Sequence, residues 1–206
     1  MSTSADRDPA RATGDRRPQR ADARTNRERI LTVAEEVFGA GGRSASTDEV
    51  ARLAGVGIAT VFRHFPTKAA LLEAVLVRRF DRLRKQAEAL ADATDPGAAF
   101  FGFFGHLVTD AAGKIAIGEA LMDAGGDHSP ATTEASTELR QAVGVLLRNA
   151  QRAGEVREDT ELPEVYALLV ATSRTSTHAR LDENVRDRML TIIFDGLAPR
   201  QRNASS

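Results

Sequence analysis

Residues 47–68, TDEVARLAGVGIATVFRHFPTK, constrain the fold more than any other part of this chain. A short apolar-periodic run (Val50, Ala51, Leu53, Ala54) predicts a helix that leads into Gly55 and Val56. A second short helix follows and carries Thr60, Phe62, Arg63 and His64 near its end. Pro66, Thr67 and Lys68 stop it and start a third. Two short helices around a tight glycine turn, the second bearing small, hydroxyl and basic groups, match the layout of a helix-turn-helix that reads DNA. The turn needs Gly55 because a side chain with a Cβ is strained at positive φ. Gly57 and Ala59 are small enough to let the second helix lie close to a groove wall.

A net charge of −1 is unexpected for a protein that meets a polyanion, but its distribution is uneven. Residues 16–85 hold 15 Lys and Arg against 8 Asp and Glu, whereas residues 86–206 hold 11 against 18. A basic front that coincides with the helix-turn-helix and an acidic back imply that only the front meets nucleic acid. The 206 residues are 42% hydrophobic, ample for a buried core. Period-two alternation is nearly absent, so the chain reads as all-α. It has no Cys, hence no disulfide or thiolate chemistry. The polar N-terminus has no apolar secretory core and no apolar run is long enough to span a bilayer, so the expected compartment is the cytoplasm, with no membrane partner.

About nine helices are expected. Residues 1–23 are rich in Arg, Asp, Ala and Pro without periodicity and read as a disordered arm. Thr25 and Glu28 form a capping box that would start the first helix, which Gly41 and Gly42 stop. Ser46 and Glu49 form a second box. Thr67 caps a long fourth helix reaching about Leu90. Asp95, Pro96 and Gly97 offer a domain boundary. An apolar helix follows and is expected to break at Gly113, with a shorter helix over 114–124. Long helices over 131–153, 164–179 and 184–197 complete the chain. The expected division is a helix-turn-helix domain over 24–72, a second helical domain over 73–199 and a tail over 200–206.

Residues 24–76 closely resemble the tetracycline-repressor (TetR/AcrR) family of transcriptional regulators. The resemblance rests on Arg29, Ile30 and Leu31 with Ala34, Phe38 and Gly41, then Thr47 with Val50 and Ala51, then Ala54, Gly55 and Val56. It ends with Val61 through Phe65, and with Lys68 before Leu71 and Leu72. Residues 151–159, QRAGEVRED, resemble the family's loop before its last two helices. One departure is Phe62, where the family usually has a tyrosine whose hydroxyl touches a phosphate.

The resemblance implies a homodimeric, ligand-responsive repressor bound to a palindromic duplex operator. Thr47 and Lys68 are then expected at phosphates, the latter because a cation is otherwise disfavoured in a first helical turn. Ile58 and Thr60 suit base edges and a thymine methyl; Arg63 and His64 suit phosphates or guanine. Phe62 stands at the phosphate-facing position, and Gly57 opens the helix. Arg24 and Arg27 could reach a neighbouring minor groove. Phe65 reads as core.

The resemblance also implies a small-molecule effector, with no cofactor, in a cavity among the C-terminal helices. Phe100, Phe103, Phe104, Leu107, Met122, Arg174 and His178 are its candidate lining, while the same phenylalanines read equally well as core. His106, Asp110, Asp123 and His128 are further polar candidates. Two closing helices would form the dimer interface, with Val165, Leu168, Leu169 and Thr172 on one face and Met189, Ile192, Ile193 and Leu197 on the other. Two other classes compete. An enzyme would need machinery, and there is no Gly-x-Ser-x-Gly elbow, phosphate-binding glycine loop or His-Glu-x-x-His zinc motif. His106 and Asp110, four apart, could hold a metal, but such a pair is usually a surface or hydrogen-bonded feature, and no metal is expected. A plain helical interaction module is the third class, separated from a regulator by salt-sensitive duplex binding.

Overall fold

A computed structural model of the chain describes residues 16–127, 129–178 and 181–199, and these hold eight α-helices, one short 3-10 turn and no strand. Residues 1–15 of the expected arm at 1–23, the tail at 200–206 and the candidate His128 lie outside the described residues, as does the side chain of His178, while 16–23 belong to the first helix.

Helix α1 (Arg16–Gly41) is longer at its front than the capping-box reading predicts. Thr25 and Glu28 stand inside the helix, which begins in an Arg-, Gln- and Ala-rich stretch of good helix formers. Pro18 is tolerated there because the first-turn amides have no intrahelical acceptor. A 3-10 turn (Gly42–Ser44) leads to α2 (Thr47–Leu53), where Ser46 acts as the N-cap and accepts the Glu49 amide at 3.1 Å. Gly55 turns the chain at φ +64 into α3 (Ile58–His64). Thr67 accepts the Ala70 amide at 3.0 Å and opens α4 (Lys68–Ala89).

Helix α5 (Pro96–Asp123) is continuous, so the expected break at Gly113 does not occur, and the two short helices predicted there are one. Gly113 serves closeness instead of termination. A Cβ on it would stand 3.1 Å from Nη2 of Arg79, and Gly39 of α1 packs against its Cα. Glycine lets the Arg79 guanidinium pass between α1 and α5, at the modest helix cost of an interior glycine. Helices α6 (Pro130–Arg152), α7 (Leu162–His178) and α8 (Glu183–Leu197) follow close to their expected bounds. Ser129 and Asp182 cap α6 and α8.

One buried apolar cluster runs from Ile30 through Phe38, Val61, Leu72, Phe100, Leu121 and Leu146 to Leu197. Helix α5 lies at its centre, against α1 and the 3-10 turn on one side and α4, α6 and α7 on the others. Residues 151–159 tie off the far end. The Gln151 amide donates to the carbonyls of Arg157 and Thr160 at 3.1 and 2.8 Å, and the Arg157 amide donates to the Leu197 carbonyl at 2.9 Å. No helix among the described residues is long and apolar enough to cross a membrane.

Candidate nucleic-acid interface and effector cavity

Helix α3 is short and divides cleanly into two faces. Val61 is fully buried and Phe65, its C-cap, is nearly so, and these anchor the helix on α1 and α2. Gly57, Ala59, Phe62 and Arg63 are exposed, while Ile58, Thr60 and His64 are half-buried at the flanks. Phe62, 43% exposed, is a large apolar ring held in solvent on a helix otherwise small and polar outside. Arg63 follows Phe62 in the last turn of α3 and is exposed. Arg24 and Arg27 are exposed on α1, and the Arg27 guanidinium lies 5.1 Å from the Phe65 ring centroid, which brings this part of α1 alongside the end of α3.

Thr47 and Lys68 take on structural work that sequence reasoning did not foresee. Thr47 is buried, one residue inside the Ser46 cap. The Lys68 ammonium donates to the Ala45 carbonyl at 2.9 Å and sits 5.1 Å over the Phe38 ring. A cation in the first turn of α4 is thus explained within the chain, because it pins α4 to the segment that enters α2.

Behind this head, a buried ionic cluster joins α1, α4 and α5. Arg79, 7% exposed, donates from Nη1 to Glu35 at 2.9 Å and from Nε to Asp110 at 2.8 Å. Its Nη2 reaches the Asp110 carbonyl at 2.6 Å. Arg82 donates to the second Glu35 oxygen at 2.9 Å. Burial works to raise the Glu35 carboxyl, but the Arg82 hydrogen bond and the charges of Arg82, Arg79 and Arg78 outweigh it and hold the group below its ordinary value. His106 and Asp110 do not converge on a shared site: His106 meets Gln86 at 3.2 Å, while Asp110 is committed to Arg79.

Next to that cluster a cavity of about 550 Å³ opens among α4, α5, α6 and α7. Of the expected lining, Leu107, Met122 and Arg174 are there, and Asp110 also borders it. Phe100, Phe103 and Phe104 are not. They are buried in the core, where Phe104 meets Phe194 edge-on and Phe100 meets Phe101. Large rings fill space, and the α5 part of the open space begins about one turn further along, at Leu107, and runs on to Met122. Leu76, Phe80, Lys114, Tyr166 and Leu169 line it and were not singled out as lining from the sequence. Lys114 carried a readable signal, being the one Lys or Arg in the apolar helix α5. Its exposed surface opens into the cavity, and the surrounding protein lowers its pKa by desolvation, against the Asp110 charge that raises it. Burial pushes the Tyr166 phenol up to about 12, so it is a neutral hydroxyl at any physiological pH.

A family model for the bacterial regulatory proteins of the tetR family matches residues 30–75, and one for the C-terminal domain of SbtR-like transcriptional regulators matches residues 95–199. The chain belongs to the TetR family. A crystal structure of a TetR transcription regulatory protein from Mycobacterium vanbaalenii is similar at 40% identity and a TM-score of 0.72, covering 88% of this chain and 99% of that one. The regulator UidR of Escherichia coli is 26% identical over 72% of this chain and 78% of its own length. The activator FasR of Mycolicibacterium smegmatis is 36% identical over 46% of this chain and 48% of its own. The stretch matched to the regulator SAR0097 of Staphylococcus aureus takes in 36% of that protein. A TetR-family chain with this helix-turn-helix is a DNA-binding transcriptional regulator.

Proposed function

We propose that this regulator is a homodimeric repressor that grips a palindromic operator and leaves it when a small molecule enters the cavity. The observation that carries the reading is the outward face of α3: Phe62 and Arg63 exposed beside the small Gly57 and Ala59, on a helix pinned from behind by Val61 and Phe65. Arg63 and the flanking Thr60, Ile58 and His64 then meet bases and phosphates in a major groove, and Arg24 and Arg27 on α1 meet the adjacent backbone or minor groove. Thr47 contributes through its position at the start of α2, and Lys68 through the geometry it holds.

A palindrome asks for two heads related by two-fold symmetry. Burial sorts the proposed dimer residues. Val165, Leu169, Thr172 and Leu197 are buried within their own chain, and Met189 and Ile193 are half-buried. Leu168 and Ile192 are exposed, at 36% and 65%, with Val185 at 48% on the same helix as Ile192. With Val170, 47% exposed on α7, these are apolar side chains that a second copy can cover. Signals from the cavity reach the head through Asp110, which borders the cavity, to Arg79 and Glu35 on α1. The name of FasR supports a second sign of regulation, activation, for the same binding event.

Ile192→Asp tests assembly. The site is exposed within the chain, so the variant should fold, yet a carboxylate there opposes burial against a mate. Sedimentation should show monomers, and operator binding should be lost with the reading helix untouched. A variant that stays dimeric and binds normally places the interface elsewhere.

A further inference from the structure

Three features of the cavity bear on what enters it. Its wall is mostly aliphatic and aromatic, supplied by Leu76, Leu83, Leu107, Leu139 and Leu169 among others. Its volume, about 550 Å³, suits a small organic molecule. Its cation Lys114 has no carboxylate within ion-pair distance among the described residues; the ammonium instead sits 5.1 Å over the Phe80 ring. The obvious counter-ion is Asp110, one helical turn before it on α5. Both Asp110 carboxylate oxygens already face Arg79, at 2.8 Å from Nε and 2.7 Å from Nη2. Glu119, five residues on, is exposed and lies towards the Met122 end of the wall, away from the turn that bears Asp110.

The Lys114 ammonium stands on an otherwise mostly apolar wall with its neighbouring carboxylate taken by Arg79, so an arriving anion finds a cation to pair with. We propose that the cavity binds an amphipathic organic monoanion, a carboxylate on an apolar body, with the carboxylate paired to Lys114 and the body laid along the leucine wall. The proposal rests on the ligand-responsive reading above and specifies its ligand class. Arg174 also borders the cavity, and Lys114 is the cation whose pairing with the carboxylate the test isolates. Tyr166 and Ser173, which carry hydroxyl donors, also line the cavity. The neutral phenol of Tyr166, with the Arg140 guanidinium 4.8 Å from its ring, adds a donor without adding a repelling charge. A ligand carboxylate at Lys114 also lies one turn from Asp110, the residue through which α5 holds Arg79 and thereby α1.

The test uses three probes of equal chain length: decanoate, decanamide and decylammonium. Calorimetric titration of the full chain should show decanoate binding at least about tenfold tighter than decanamide, with decylammonium weakest. Lys114→Met keeps the length and apolar fill of the side chain. In that variant decanamide should still bind, and the preference for decanoate should collapse to within about twofold. Equal binding of decanoate and decanamide by the wild type, binding of none of the three, or a decanoate preference that survives Lys114→Met overturns the proposal. Duplex binding is measured on the same preparations. A protein that binds DNA but ignores the charge of the probe loses this proposal alone. A protein that binds no duplex loses the regulator reading, whatever the calorimetry shows.

Discussion

The two halves of this molecule use similar residues in opposite ways. In the head, Phe62 and Arg63 stand out in solvent from a helix seven residues long. In the body, Phe100, Phe103 and Phe104 are buried, Arg79 is enclosed by two carboxylates, and Lys114 lines a cavity among four helices. A surface built to touch a large, regular, polyanionic partner needs few residues in fixed register on one short element. A site built to enclose a small molecule needs walls from several elements. The first is written in consecutive residues, and the second is dispersed along the chain.

The comparison depends on a joint between the halves, and cutting that joint should produce the largest effect. Arg79→Met removes the buried cation and leaves Glu35 and Asp110 facing each other's side of the gap. Breaking a buried pair by removing one partner costs about 3–5 kcal/mol, equivalent to a melting temperature lower by roughly 6–20 °C in a chain of this size. Calorimetry reads this directly. A melting temperature close to wild type would mean that α1 and α5 are held by apolar contact alone and that the ionic cluster joins nothing.

A pH titration sharpens the same point with a smaller effect. The Glu35 carboxyl is held below its ordinary value in the folded chain by Arg82, Arg79 and Arg78. Its contribution to stability is therefore fully present above the unfolded value of about 4.3 and is lost as pH falls through the folded value. Glu35→Gln should lower the melting temperature at neutral pH, and the gap from wild type should narrow in acid. A gap that is constant with pH would assign the loss to packing rather than charge.

Phe62→Tyr should give the smallest change and tests the other side of the contrast. The ring is exposed, so an added hydroxyl should leave thermal stability within about 0.5 kcal/mol of wild type. If the ring edge faces a phosphate, the hydroxyl adds a bond to a charged oxygen, worth about 1.5–3 kcal/mol at best and less where water competes. Operator binding a few-fold tighter is the expected result. Lower stability would show the ring to be a core group like those of α5.

The same contrast explains what the sequence disclosed. The Gly55 turn, the Ser46 and Thr67 caps and the buried Phe65 were all legible, because each depends on neighbours a few residues away. The start of α5 was legible for the same reason, from Pro96. Gly113 misled because a helical glycine can end a helix or admit a neighbour, and the neighbour, Arg79, is distant in sequence. The partner of Lys68 within the chain was not legible because its acceptor is the Ala45 carbonyl, and a backbone acceptor has no sequence signature. The phenylalanines of α5 suggested a pocket lining, yet bulk is what closes space. The cavity draws on α4 through α7, and no local pattern announces that convergence.

The central claim is that the head, and within it the exposed face of α3, binds duplex DNA. The most direct test is the affinity of the wild type and of Arg63→Ala for an operator selected from a random pool, measured across a range of salt. The wild type should lose affinity linearly on a log–log plot. Arg63→Ala should bind more weakly at unchanged melting temperature, and its salt slope should fall by about one unit if the guanidinium sits on a phosphate and stay unchanged with relaxed base preference if it sits on guanine. Salt-independent binding, or full affinity and specificity in Arg63→Ala, would contradict the account.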